Sequence, residues 1–112
     1  MKIFYSCYSR SEDVPSNAPI EADLAAATDV LWNIEHKGSF IGIELEEPFV
    51  FQVMNEEHFF YSELLDKDSL EIKFADLDIE IVEKLFDAIF ANHDFFKASE
   101  RLGIEWKSGS LK

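Results

Sequence analysis

From Ser39 to Ala75 the chain reads SFIGIELEEPFVFQVMNEEHFFYSELLDKDSLEIKFA, and its apolar residues recur at every second position rather than every third or fourth. Ile41, Ile43 and Leu45 alternate with Phe40, Gly42, Glu44 and Glu46, which describes a strand with one buried and one mostly exposed face. Glu47-Pro48 reads as a turn. Phe49 to Met54 is apolar on both sides and belongs in the middle of a sheet. After the turn Asn55-Glu56-Glu57, His58 to Leu65 make a third strand. Asp66-Lys67-Asp68 reverse the chain again, and Leu70, Ile72 and Phe74, alternating with Glu71 and Lys73, make a fourth. Connections this short join antiparallel neighbours, so the stretch predicts a four-stranded meander.

Working outward, Lys2 to Tyr8 sets Ile3, Tyr5 and Cys7 against Phe4, Ser6 and Tyr8, the alternation of another strand. Arg10 to Ala18, with Ser11, Pro15, Ser16 and Asn17, reads as loop. A helix is expected next, capped by Ser16 or Asn17, with Pro19 in its first turn and Glu21 and Asp23 at the positive end of its dipole. Its buried stripe would be Ile20, Leu24, Ala27 and Leu31, and Lys37-Gly38 would stop it unless the chain is already irregular from Trp32 to Glu35. On the other side of the meander a second helix starts at Asp78, with Leu77 stapled onto Val82 and Glu80 in the first turn. Val82, Leu85, Phe86, Ile89 and Phe90 form its apolar stripe. Asn92-His93-Asp94 interrupts it, a short helix follows to Leu102, and Gly103 ends that. Ile104 and Trp106 suggest a last strand, with Ser108 to Lys112 fraying.

The whole reads as a single α+β domain over residues 1–112. It has two layers, a mainly antiparallel sheet of about four to six strands with an N-terminal and a C-terminal helix packed on it. Phe59, Phe60 and Tyr61 are consecutive on a strand and cannot all point the same way. Either both sheet faces are covered there or part of the cluster is open to a partner. The expectation is coverage, with the two helices on opposite faces or leaving only an edge exposed.

Composition narrows the function. No apolar run approaches the roughly 20 residues that span a bilayer, and Met1-Lys2-Ile3-Phe4-Tyr5 does not begin a secretory signal, so a cytoplasmic protein off the membrane is expected. Cys7 is the one cysteine and reads as a packed or free thiol in a reducing compartment. The chain carries 23 acidic and 10 basic residues, a formal charge of −13. Residues 44–94 hold 15 of the acidic and 3 of the basic residues, so the excess is concentrated in the central half. A field of that sign repels nucleic acid and anionic membranes and accelerates association with basic proteins.

No local pattern supports catalysis or a cofactor. His36, His58 and His93 have no metal-ligand spacing, and neither HExxH nor CxxC occurs. Neither a GxSxG elbow nor a glycine cluster is present. Asp66-Lys67-Asp68 lacks the Gly and terminal Glu of a calcium loop. Carboxylate pairs such as Glu56 and Glu57 are read as charged hairpin turns rather than acid/base pairs. A non-catalytic protein without metal or cofactor is therefore expected, binding a basic macromolecule through a carboxylate surface that mimics phosphate.

The run Phe51-Gln52-Val53, then Phe59 to Glu63, Phe74, Leu77-Asp78-Ile79-Glu80-Ile81-Val82 opening a helix with Leu85-Phe86, and finally Trp106, resembles the small acidic α/β immunity proteins of bacterial toxin systems. Asn92-His93-Asp94 stands where those proteins carry Gly-Asp, and Phe95-Phe96 where a Trp is usual, so the resemblance does not specify the toxin. It implies a cytoplasmic inhibitor that binds and neutralises a cognate toxin domain. The acidic turns, Glu46 and Glu47, Glu56 and Glu57, Asp66 and Asp68, are the expected contact residues, with Tyr61 at the centre. An acidic adaptor or subunit of another intracellular complex is the alternative. A small enzyme or ligand-binding domain assembled from scattered side chains is the third reading.

Overall fold

The computed structural model describes residues 1–111 and extends the meander into an eight-stranded antiparallel sheet. The strands are β1 (Lys2–Cys7), β2 (Glu12–Val14), β3 (Ile20–Glu21), β4 (Phe40–Glu44), β5 (Phe49–Asn55), β6 (Phe60–Asp66), β7 (Glu71–Leu77) and β8 (Lys107–Ser110). Their order is β2-β1-β4-β5-β6-β7-β8, with β3 pairing the free part of β1. The expected meander is β4 to β7, and β5, apolar on both sides, sits at its centre. The helices are α1 (Leu24–Asn33), α2 (Ile79–Phe90) and α3 (Phe95–Arg101).

The sheet has more strands than expected, because two segments read as loop or helix pair with the edge of β1. Glu12-Asp13-Val14 runs antiparallel to Tyr5-Ser6-Cys7. Ile20-Glu21 pairs with Lys2-Ile3 and does not open a helix. That pairing is held by the Ala22 amide donating to the Met1 carbonyl at 2.8 Å and by the terminal ammonium 3.1 Å from the Glu21 carboxylate. The first helix therefore starts later, where Asp23 accepts the Ala26 amide at 2.8 Å. Of the expected stripe, Ala27 and Leu31 are buried, Leu24 is partly buried and Ile20 is exposed, while Val30 joins the buried side. The helix ends at Asn33, before Lys37-Gly38, and the buried Asn55 side chain ties its end to the sheet by donating to the Ile34 carbonyl at 2.6 Å.

α2 matches its apolar pattern: it follows Asp78 and buries Val82, Leu85, Phe86, Ala88 and Ile89. α3 is capped by Asp94, which accepts the Lys97 amide at 3.0 Å. The last strand lies further on than Ile104 and Trp106: Lys107–Ser110 pairs with β7, although Ser108 onward reads as a fraying end. Lys112, the end of that segment, lies outside the described residues.

Both long helices lie on the same side of the sheet, packed on each other, with α3 against α2. Ile3, Tyr5, Cys7, Ile41, Ile43, Phe51, Val53 and Leu64 point towards them from four strands and share one core with Ala27, Leu31, Val82, Leu85 and Phe86. Phe51 and Phe86 meet edge to face, with ring centroids 6.3 Å apart. The expectation of coverage around Phe59, Phe60 and Tyr61, with the two helices on opposite faces or leaving only an edge exposed, is thus overturned: α1, α2 and α3 share one face, and Phe59 is exposed.

Candidate functional site

Alternation along each strand determines what the other face carries. Because Ile41 and Ile43 point to the helices, Phe40, Gly42 and Glu44 point away. The antiparallel register sets Gly42 beside Phe4 on one side and Gln52 on the other, then Glu63 and Phe74 beyond. In the adjacent row Phe40, Met54, Tyr61 and Asp76 stand abreast, and Glu44, Val50, Leu65 and Ile72 form a third.

The face is a mixed surface, without the closure of a second core. Phe4 is 6% exposed although no helix covers it, because its ring lies over Gly42. A Cβ on Gly42 would fall 2.0 Å from Phe4 Cζ, so only glycine admits the ring here. Phe4 and Phe40 then meet edge to face at 6.4 Å. Further across, the Tyr61 hydroxyl donates to Glu63 Oε1 at 3.1 Å, and its ring lies 6.1 Å from that of Phe74. Partial burial, then the negative charge of Glu63 and its hydrogen bond, with Asp76 adding to them, push the Tyr61 phenol up to about 12. The phenol thus sits in a locally negative field.

Glu44, Glu63 and Asp76 run across this face on β4, β6 and β7. Among the described residues no ion pair joins any of them to a Lys or Arg; the pairs that form are Met1 with Glu21, Arg10 with Asp29 and Lys67 with Glu47. At the Glu44 end is a cleft of about 440 Å³ lined by Phe4, Ser16, Phe40, Glu44, Val50, Gln52, Leu65 and Lys67.

The acidic turns do not gather into one patch. Glu46, Glu47, Asp66 and Asp68 share one end of the sheet, since Phe49 pairs with Asp66. Glu56 and Glu57 lie at the other end, beyond the pairing of Asn55 with Phe60 and about 20 Å away along β5. Several have local work: Glu47 holds Lys67 at 3.1 Å, and Asp66 Oδ1 accepts the amides of Asp68 at 2.9 Å and Ser69 at 3.2 Å. The Glu57 amide donates to Asn55 Oδ1 at 2.6 Å in a turn where Glu57 has φ 77°. Tyr61 is on the open face, between Met54 and Asp76, and not at the centre of those six carboxylates. Glu44, Glu63 and Asp76, unassigned from sequence, are what accompany it. The signal was present in the period of two that orders the buried side.

The histidines do not converge. His93 lines a cleft with Glu46, Phe49, Asp94 and Phe96 near the Glu46 end. His36 belongs to the loop whose Gly38 amide donates to the Asn55 carbonyl, and His58 to the turn after Asn55, both at the opposite end. Cys7 is buried, its thiol donating to the Asn33 carbonyl at 3.1 Å. Among the described residues no group of three or more His, Cys, Asp or Glu is placed to hold a metal ion, and no helix is long and apolar enough to cross a membrane. No family model matches the chain, and no curated protein or solved structure is significantly similar to it.

Proposed function

We propose that this protein is a non-catalytic binding protein, an immunity-type inhibitor that neutralises a basic toxin or nucleic-acid-acting enzyme domain by stoichiometric association. The observation that carries the reading is the helix-free sheet face, where Glu44, Glu63 and Asp76 stand without ion-pair partners among Phe4, Phe40, Tyr61 and Phe74. Unpaired carboxylates in a chain of charge −13 draw in a cationic partner and set a fast, salt-sensitive on-rate. Aromatic rings held rigidly between strands add the contact area that slows dissociation. Cytoplasmic residence belongs to the same proposal, since an inhibitor of this kind protects the cell that makes it.

The test is to immobilise the protein, pass native lysate over it at about 0.05 M and about 0.5 M salt, and assay the retained protein's activity while titrating the binder back. The expected result is a basic protein, retained at the lower salt, whose activity falls to zero at one equivalent. Retention without inhibition would reject the inhibitor reading in favour of the adaptor. Failure to retain any basic protein would reject both.

A further inference from the structure

We propose that the cleft formed by Phe4, Phe40, Val50 and Leu65, with Glu44 and Gln52 at its wall, seats an arginine side chain of the basic partner. The inference rests on the preceding reading and specifies where and by what chemistry the partner is held.

Charge complementarity selects the occupant. A second copy of the chain would bring its own −13 and its own Glu44, Glu63 and Asp76 against the same three groups, burying like charges. A phosphate-bearing ligand meets the same field. A long cationic side chain fits both halves of the cleft. Its methylene stem lies on the apolar floor, and its head reaches the Glu44 carboxylate, which no cation of the described chain neutralises. Lys67 also lines the cleft, but its ammonium is engaged by Glu47 at 3.1 Å and leaves Glu44 available. Arginine is favoured over lysine because a planar guanidinium stacks on an aromatic ring while donating in a fork to the carboxylate and the Gln52 carbonyl, which a compact ammonium does not do.

The test is a ¹⁵N NMR titration of the full chain with hexa-arginine and, separately, hexa-lysine at about 150 mM salt. The proposal expects saturable shifts of the Gly42, Glu44, Val50 and Gln52 amides, tighter binding of hexa-arginine, and an approximately tenfold loss of its affinity in Glu44→Gln. The double variant Glu56→Gln/Glu57→Gln, at the far end of the sheet, should stay within about twofold of the parent. The spectrum of each variant shows directly whether it is folded. Saturable binding confined to the acidic turns, equal affinity for both peptides, or an unchanged affinity in Glu44→Gln would overturn the cleft and leave the basic-partner reading standing. Absence of binding by either peptide would remove both.

Discussion

The two faces of the sheet are made by the same strands one residue out of step, yet they solve different problems. The covered face presents Ile3, Ile41, Ile43, Phe51 and Val53, all at 1% exposure or less, to α1 and α2. The open face has Phe4 and Val50 nearly as buried, but Gln52, Met54, Tyr61, Glu63 and Phe74 are only half-buried and carboxylates stand among them. Glu63 accepts the Tyr61 hydroxyl, but none of the three carboxylates is ion-paired to a Lys or Arg among the described residues, so they add little to folding. The covered face is closed over its apolar side chains, whereas the open face combines the packing of Phe4 on Gly42 with half-buried rings and carboxylates that remain accessible.

The largest effect should come from emptying the covered face. Phe51→Ala removes a fully buried ring that meets both Phe86 and Phe95, and should cost about 3–5 kcal/mol in equilibrium urea unfolding. A loss below about 1 kcal/mol would show that the two faces are not so different. Gly42→Ala comes next, on the open face. The new methyl displaces Phe4, and the expected loss is about 1–3 kcal/mol, most of it absent in a Phe4→Ala background. Additive losses in that cycle would contradict the stacking of Phe4 on Gly42.

Tyr61→Phe should change neutral stability by less than about 1 kcal/mol but alter its pH dependence. The folded chain keeps the phenolic proton up to about 12, whereas the unfolded chain releases it near the ordinary value of 10.0. The contribution is complete below pH 10 and is lost as the pH rises to about 12, so the variant should lose stability less steeply over that window. Equal slopes would mean that burial, with Glu63 and Asp76, does not hold the proton on this hydroxyl. Smallest of all, Glu44→Gln, Glu63→Gln and Asp76→Asn together should shift stability by no more than about 0.5 kcal/mol at neutral pH, because these carboxylates hold no cation within the chain.

Much of this architecture is legible in the residues. The period of two between Phe40 and Phe74 locates β4 to β7, and the stripe from Val82 to Ile89 locates α2, because those side chains are ordered by the surface they bury. What escaped has no such stripe. Glu12-Asp13-Val14 and Ile20-Glu21 are strands because β1 has backbone groups to satisfy, a demand made by a distant segment. Pro19 and Glu21 are sound helix-start residues locally and were outcompeted by that pairing. Helix stripes also do not state which side of a sheet they cover, so the open face was missed although Gly42, a glycine inside a strand, marked a close approach. The acidic turns drew attention by their density, while Glu44, Glu63 and Asp76, farther apart along the chain, are drawn onto one face by register.

The most direct test of the division between the faces is a side-by-side capture of the proposed basic partner by three baits. These are the parent chain, the open-face variant Glu44→Gln/Glu63→Gln/Asp76→Asn, and the turn variant in which Glu46, Glu47, Glu56, Glu57, Asp66 and Asp68 are all changed to their amides. With all three shown to be folded, the account expects the open-face variant to lose capture and the turn variant to retain most of it with a slower on-rate. Loss of capture by the turn variant alone, with the open-face variant binding like the parent, would contradict it.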